Sequence, residues 1–319
     1  MNSSLDLKKI IPRSEIKKFS TVSSWRSVLL MLSLHFMIWL LAFSAQKFDL
    51  WWCYLLIIIL ISGLQHHLLT LMHEGAHYLV HPKLKWNDSL TQALCAFPLG
   101  SQLKDYRYIH LQHHRYSGDP ELDPEVSFYR KTQIGYGDQK KSFLSVILGD
   151  ISGKYTLKSV LFFQKFGQKK VQEGKIRKLK SSDFIYGVLG ILFMISTPLL
   201  LGFLKIYIFL WIISFLTLTP WLVRWHSIGE HTGINEPFEQ DKTLTHELPF
   251  LVNFFLYPIR SYLHLEHHLF PQIPWYQISS FRKTLLKNPT YQRESHKLWV
   301  DGLFFGKKTV RQLIFNSPH

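Results

Sequence analysis

Cysteine is nearly missing from this 319-residue chain, which contains only Cys53 and Cys95. Two cysteines give no disulfide framework and match no zinc-ribbon spacing, so neither a stapled secreted scaffold nor a thiolate metal site is expected. Cys53 lies in an apolar run and reads as a small hydrophobe. Acidic residues are sparse as well: 22 Asp and Glu stand against 37 Lys and Arg, a formal net charge of +15. No cleavable signal peptide is expected, because the first 26 residues are polar and basic and no short apolar stretch with a small-residue cleavage site follows. Low-complexity tracts are absent too, and nothing points to a nucleic-acid partner.

The most telling absence is local. Residues 27–45, 50–72, 184–204 and 206–223 contain no Asp, Glu, Lys or Arg. At about 1.5 Å per residue, helices of this length cross the hydrocarbon core of a bilayer, or nearly so. Only residues 46–49 separate the first pair, and only Lys205 the second, so the stretches read as two helical hairpins. Lys47 and Lys205 are the basic residues at the hairpin tips; Arg26, Lys83, Lys85, Lys180 and Arg224 flank the other ends. By the positive-inside rule the long segments and both termini are cytoplasmic.

The expected fold is therefore an all-α integral membrane protein, four transmembrane helices in two hairpins beneath a cytoplasmic helical cap. It divides into a cytoplasmic segment 1–26, a hairpin 27–72, a cytoplasmic segment 73–183, a hairpin 184–223 and a cytoplasmic segment 224–319. A bacterial inner membrane is the expected location, with an endoplasmic-reticulum-like membrane as the alternative. Residues 144–148, 160–166 and 248–257 are apolar but short and suit helices lying on the interface. The basic run 168–180 reads as a solvated stretch facing anionic headgroups.

Against this background the 17 histidines are not scattered. His73-Glu-Gly-Ala-His77, His110-Leu-Gln-His113-His114 and His264-Leu-Glu-His267-His268 form three clusters, all on the side expected to be cytoplasmic. Spacings of i, i+3 and i+4 bring imidazoles to one helical face. Adjacent histidines on a helix diverge by about 100°, so one of each pair can serve one metal and its neighbour another. These eight residues point to a two-metal, nitrogen-rich site and call for a ninth ligand. His231 is the preferred candidate and His226 its competitor, since residues five apart cannot share a helical face. Glu230 is either a ligand or a partner that orients an imidazole. Ser227 stands one turn before His231. His66, two turns before His73 and about 10 Å deeper, is too far to bind the same metal and is assigned a place beside the ligands or facing substrate. His35, His67, His81, His246, His296 and His319 read as structural or solvated.

Two rival chemistries compete for the same residues. His73-Glu74-Gly-Ala-His77 also spells H-E-x-x-H, in which Glu74 would be the general base of a zinc protease. That reading uses two histidines and leaves both H-x-x-H-H clusters unexplained. A zinc transporter would carry its ligands near the bilayer midplane, whereas here they lie outside the apolar stretches.

From about residue 50 to 285 the chain resembles the membrane fatty acid desaturase superfamily, whose boxes run H-x(3–4)-H, H-x(2–3)-H-H and H-x(2–3)-H-H. The segments carrying the likeness are Tyr108-Ile-His-Leu-Gln-His-His-Arg-Tyr116 with the following Asp119-Pro and Asp123-Pro, and His264-Leu-Glu-His-His-Leu-Phe-Pro-Gln-Ile-Pro274. The resemblance implies two irons held by the box histidines and by one further histidine after the fourth span, which corresponds to His231. It also implies O2 as co-substrate and an external electron donor of ferredoxin or cytochrome b5 type, docked on the basic face. The expected substrate is an acyl-lipid or fatty acyl chain drawn from the bilayer lipids. Members of the superfamily also use a water-bound Asn near the ninth histidine; Ser227 stands one turn before His231 instead. His81-Pro82-Lys83 is not the His-Pro-Gly-Gly haem motif, so no fused cytochrome b5 domain is expected. Desaturation is the expected reaction. Hydroxylation of a lipid and ketolation of a carotenoid begin with the same hydrogen abstraction and remain open.

Overall fold

The computed structural model describes residues 9–119, 121–125, 143–176, 180–231, 243–302, 306–307 and 309. His319 and part of the loop after Gly118 lie outside them. The described chain is mostly helical with almost no strand, and it divides into two compact units. The bundle unit comprises Ser23–Leu111 and Lys141–Arg224; the terminal unit comprises Met1–Val22, Gln112–Lys140 and Trp225–His319.

The bundle unit holds α2 (Arg26–Phe48), α3 (Trp51–Ala76), α4 (Leu84–Thr91), the start of α5 (Leu103–Tyr116), α6 (Phe143–Ile151), α7 (Lys154–Gln172), α8 (Ser181–Leu200), α9 (Leu204–Leu216) and the start of α10 (Leu218–His231). α1 (Arg13–Phe19) belongs to the terminal unit. Four helical segments, α2, α3, α8 and the continuous run Leu204–His231, are long and apolar enough to cross a membrane. They leave Phe36, Leu40, Leu192 and Leu199 more than half exposed, as lipid-facing side chains would be. α3 differs, with 67% of its apolar window buried against at most 33% in the others, so it is the inner helix of the bundle. It carries the first histidine cluster.

The fourth stretch departs from its expected end at Val223, and the reason is chemical. Arg224, whose charge marks the end of the apolar stretch in the sequence, is buried against a fully buried Asp150. Its Nε donates to Asp150 Oδ2 at 2.7 Å and its Nη2 to Oδ1 at 2.7 Å. With the guanidinium neutralised, the helix runs on to His231. The same run bends at Thr217, where φ is −111° and ψ −80°. Pro220 has no N–H to offer the Leu216 carbonyl, and Thr156 Oγ1 donates to that carbonyl instead at 3.0 Å. Gln65 of α3 braces the bend: its Nε2 donates to the Trp211 carbonyl at 2.9 Å, and its Oε1 accepts from Thr219 Oγ1 at 2.7 Å.

α8 begins at Ser181, before the apolar run expected at 184, because Asp183 caps its start: the Lys180 N–H donates to Asp183 Oδ2 at 3.0 Å. It ends before Gly202, whose φ of +74° suits glycine. The short apolar pieces at 144–148 and 160–166 lie in α6 and α7, and α7 continues into the basic run. His35 and His67 are structural: His35 Nε2 donates to the Leu94 carbonyl at 2.8 Å and His67 Nδ1 to the Gly63 carbonyl at 2.9 Å.

The terminal unit adds β1 (Thr245–His246), α11 (Phe250–Leu256), α12 (His264–Leu269), α13 (Trp275–Leu285), α14 (Pro289–Lys297) and β2 (Trp299–Val300). β1 and β2 pair in parallel, Thr245 opposite Trp299 and His246 opposite Val300. Phe281 of α13 is the core ring, 4.9 Å from Phe270 and 5.4 Å from Phe19 of α1, centroid to centroid. Asn288 caps α14 by accepting from the backbone N–H groups of Thr290 and Tyr291 at 3.0 and 3.2 Å. His246 is fully buried, and its Nε2 donates to the Gly229 carbonyl at 3.1 Å.

Candidate metal centre

In the bundle unit His73 lies in the last turn of α3, His77 caps that helix, and His110 lies on α5. The three imidazoles converge. His77 Nε2 is 2.8 Å from His110 Nε2, and the His73 ring centroid is 5.0 Å from that of His77 and 4.3 Å from that of His110. Arg107, one turn before His110, locks the two helices together. Its Nη2 donates to the Gly75 carbonyl at 2.8 Å and its Nε to the Ala76 carbonyl at 3.0 Å, where the α3 helix end favours a cation. The guanidinium also pairs with Asp88 at 2.6 Å and stacks 4.0 Å from the Tyr78 ring centre. Asn87 Nδ2 adds a bond to the Gly75 carbonyl at 3.0 Å. Gly75 itself admits no side chain, since a Cβ there would sit 2.4 Å from Thr91. Glu74 is buried on α3.

In the terminal unit His113, His231, His264 and His268 place their ligand atoms within 4.8 Å of one another. His231 Nε2 stands 3.1 Å from His113 Nε2 and 2.9 Å from His264 Nε2. His114 Nε2 lies 3.1 Å from His267 Nε2. Each adjacent pair thus splits: His113 and His268 enter the four-histidine group, whereas His114 and His267 face one another.

The outer nitrogens explain why this is a poor hydrogen-bonding arrangement and a good metal site. His113 Nδ1 donates to Asp123 Oδ2 at 2.9 Å, and His264 Nδ1 donates to Glu230 Oε1 at 3.0 Å. In a neutral imidazole the other nitrogen then carries a lone pair. With both rings neutral, as metal binding requires, two such lone pairs point at the single Nε2 of His231, which can donate to only one of them. His268 Nε2 is buried with no hydrogen-bond partner among the described residues. A cation among these atoms relieves the conflict. Metal–imidazole bonds of about 2.1 Å in cis positions put nitrogens about 3 Å apart, as found here. The residues present fit a metal ion, and an all-imidazole set suits iron, zinc or copper better than magnesium or calcium.

The fatty acid desaturase family profile matches residues 49–297, from just before α3 to the end of α14. The chain belongs to the fatty acid desaturase family. It is also 30% identical over 253 residues to dihydrorhizobitoxine desaturase of Bradyrhizobium elkanii, a match that covers 76% of this chain and 70% of that protein. Membership makes this a desaturase-like oxidoreductase, and the matched region contains all three histidine clusters and His231.

Within this family member the remaining candidates separate by contact. His231, not His226, joins the four-histidine group. His226 instead donates from Nε2 to Glu230 Oε1 at 2.7 Å, so Glu230 bridges His226 and His264 and orients the latter. Ser227 is buried, and its Oγ has no hydrogen-bond partner among the described residues. His66 is buried on α3 and is not part of either histidine group.

Asp123 escaped the sequence reading as a site residue. It is fully buried and, besides His113, accepts from the Gly118 N–H at 3.0 Å through Oδ2 and from the Glu125 N–H at 2.9 Å through Oδ1. The only hint was its place in Asp119-Pro-Glu-Leu-Asp123-Pro, directly after the second box. Asp123→Asn should weaken metal binding about 10–100-fold, the usual effect of removing a partner that orients a ligand; competition with a chelator measures it.

Burial alone lowers the affinity of His113 for a proton. The carboxylates of Glu125, Asp123 and Glu230 outweigh it and raise the metal-free pKa from 6.5 to about 9. That charged contact stabilises the metal-free fold below pH 6.5 and is lost as pH rises through about 9. A metal must displace this proton. Metal affinity should therefore rise about tenfold per pH unit through this group and level off above about pH 9, a profile read by metal titration across that range.

Proposed function

We propose that the chain is a membrane-bound di-iron enzyme that uses O2 to introduce a double bond into an acyl chain. The observation that carries this reading is the buried four-imidazole group with tautomers fixed by Asp123 and Glu230, in a member of the fatty acid desaturase family. The ligands proposed for two irons are His73, His77, His110, His113, His114, His231, His264, His267 and His268. Iron bound there supplies, with O2 and two external electrons, the oxidising power to take hydrogen from an unactivated methylene.

The chain's own residues do the positioning. Asp123 and Glu230 hold N–H protons on the outer nitrogens of His113 and His264, leaving the inner nitrogens free to bind. Arg107 fixes the first cluster against α5. The apolar flanks of the four long helices suit two hairpins in a bilayer, from which an apolar substrate arrives without crossing water. The basic excess around the spans supports cytoplasmic termini and steers an acidic donor of ferredoxin or cytochrome b5 type to the cytoplasmic face.

The test is to profile lipids in cells with and without the gene while supplying and withholding O2. New double bonds at unchanged oxygen content support desaturation; added oxygen shifts the reading to a hydroxylase of the same superfamily. Because the curated relative is named for dihydrorhizobitoxine, that compound's saturated and unsaturated forms belong in the same profile. Peptide cleavage with no lipid change would return the His73-Glu74-His77 protease reading.

A further inference from the structure

We infer that Glu266, the middle residue of the third histidine box, is a positioning residue: its buried carboxylate clamps the short helix α12 to three other elements and so sets the direction of His264, His267 and His268. The inference rests on the reading of these histidines as metal ligands and goes beyond it, since Glu266 is not offered as a ligand.

The need for a clamp follows from length. α12 spans six residues, less than two turns, and helix nucleation is too costly for such a segment to hold its own shape or direction. Its orientation must come from tertiary contacts. At about 100° per residue, His264, His267 and His268 fall within about a third of the helical circumference, and Glu266 projects from the opposite side. The carboxylate thus points away from the imidazoles it serves.

What it meets there is a complete set of donors. Thr245 Oγ1 of β1 donates to Oε2 at 2.8 Å. Arg282 Nη1 of α13 and the Tyr291 hydroxyl of α14 both donate to Oε1 at 2.9 Å. Glu266 and Tyr291 have no exposed surface. Bonds from donors to a buried anion are stronger than neutral ones, and a partner removed from such a network leaves the rest unsatisfied. Leu265, Leu269 and Phe270 are buried as well, but apolar burial is non-directional, whereas the three oxygen contacts fix rotation about the helix axis. The segments after the third box therefore act on the box itself, through one side chain placed between its histidines.

The experiment compares the full-length wild-type protein with Glu266→Gln, Tyr291→Phe and Arg282→Lys, with Phe203→Leu, a truncation in the core of the bundle unit, as a stability reference. Each is titrated with Co(II) after iron removal; absorption bands, affinity and thermal midpoint are recorded. Glu266→Gln is expected to bind Co(II) at least tenfold more weakly with shifted bands, and Tyr291→Phe to shift the same bands by less. Phe203→Leu is expected to lower the midpoint and leave the bands in place. Wild-type bands and affinity in Glu266→Gln overturn the inference, whatever the midpoint does. If that variant does not fold, unchanged bands in both Tyr291→Phe and Arg282→Lys overturn it. A wild-type protein that binds neither iron nor Co(II) sinks the metal reading on which it rests.

Discussion

His231→Ala should lose iron and all measurable turnover, whereas His226→Ala should keep its iron within about tenfold of wild type. The two histidines lie five apart on one continuous helix, so their side chains point in different directions, and only His231 enters the group with His113, His264 and His268. Removing it deletes the nitrogen at which both His113 and His264 point. The loss should exceed the roughly 100-fold upper range seen when an outer partner of a ligand is removed. His226 touches the site only through Glu230, and its loss leaves the bond from His264 to that carboxylate in place. His113→Ala, His264→Ala and His268→Ala should behave like His231→Ala. Iron per chain and product formation on the same preparations check this; equal retention of iron by the two variants at 231 and 226 would remove His231 from the site.

The second large effect is on stability. Asp150→Ala leaves Arg224 buried without its carboxylate, and breaking a buried pair from one side costs about 3–5 kcal/mol. Asp150→Leu combined with Arg224→Met should recover most of that, because a well-packed apolar replacement of both partners is often neutral or stabilising. Thermal or denaturant unfolding in a fixed detergent measures both. A single variant as stable as wild type would mean that Arg224 finds water or another anion, and that this pair is not what lets the fourth helix continue to His231.

These two results bear on what could be read without a structure. The four apolar stretches were plain because each lacks charge over nearly a bilayer's width, and the three clusters were plain because their spacing repeats. The end of the fourth helix was not. Arg224 looks like a terminus until Asp150, 74 positions away, is found bonded to it. The helical angle showed that His226 and His231 could not both face one metal; it did not choose between them, and the family resemblance pointed to His231. The partners had no such signal: Asp123 reaches His113 from ten positions further along the chain, and Arg107 reaches the carbonyls of Gly75 and Ala76 from another helix. Glu230 was legible as one of two roles, and its bond to His264 Nδ1 makes it an orienting carboxylate. Spacing along a chain reveals which side chains share a face. It does not reveal which distant polar group satisfies their second nitrogen, because that is fixed only when the helices pack.

The nine histidines are proposed to hold a pair of irons. The most direct measurement is metal analysis of the purified full-length protein, iron, zinc and copper together, on a per-chain basis. Two irons per chain and no stoichiometric zinc are expected, falling to at most one iron in His231→Ala. One zinc per chain with no iron, unchanged by His231→Ala, would contradict that assignment.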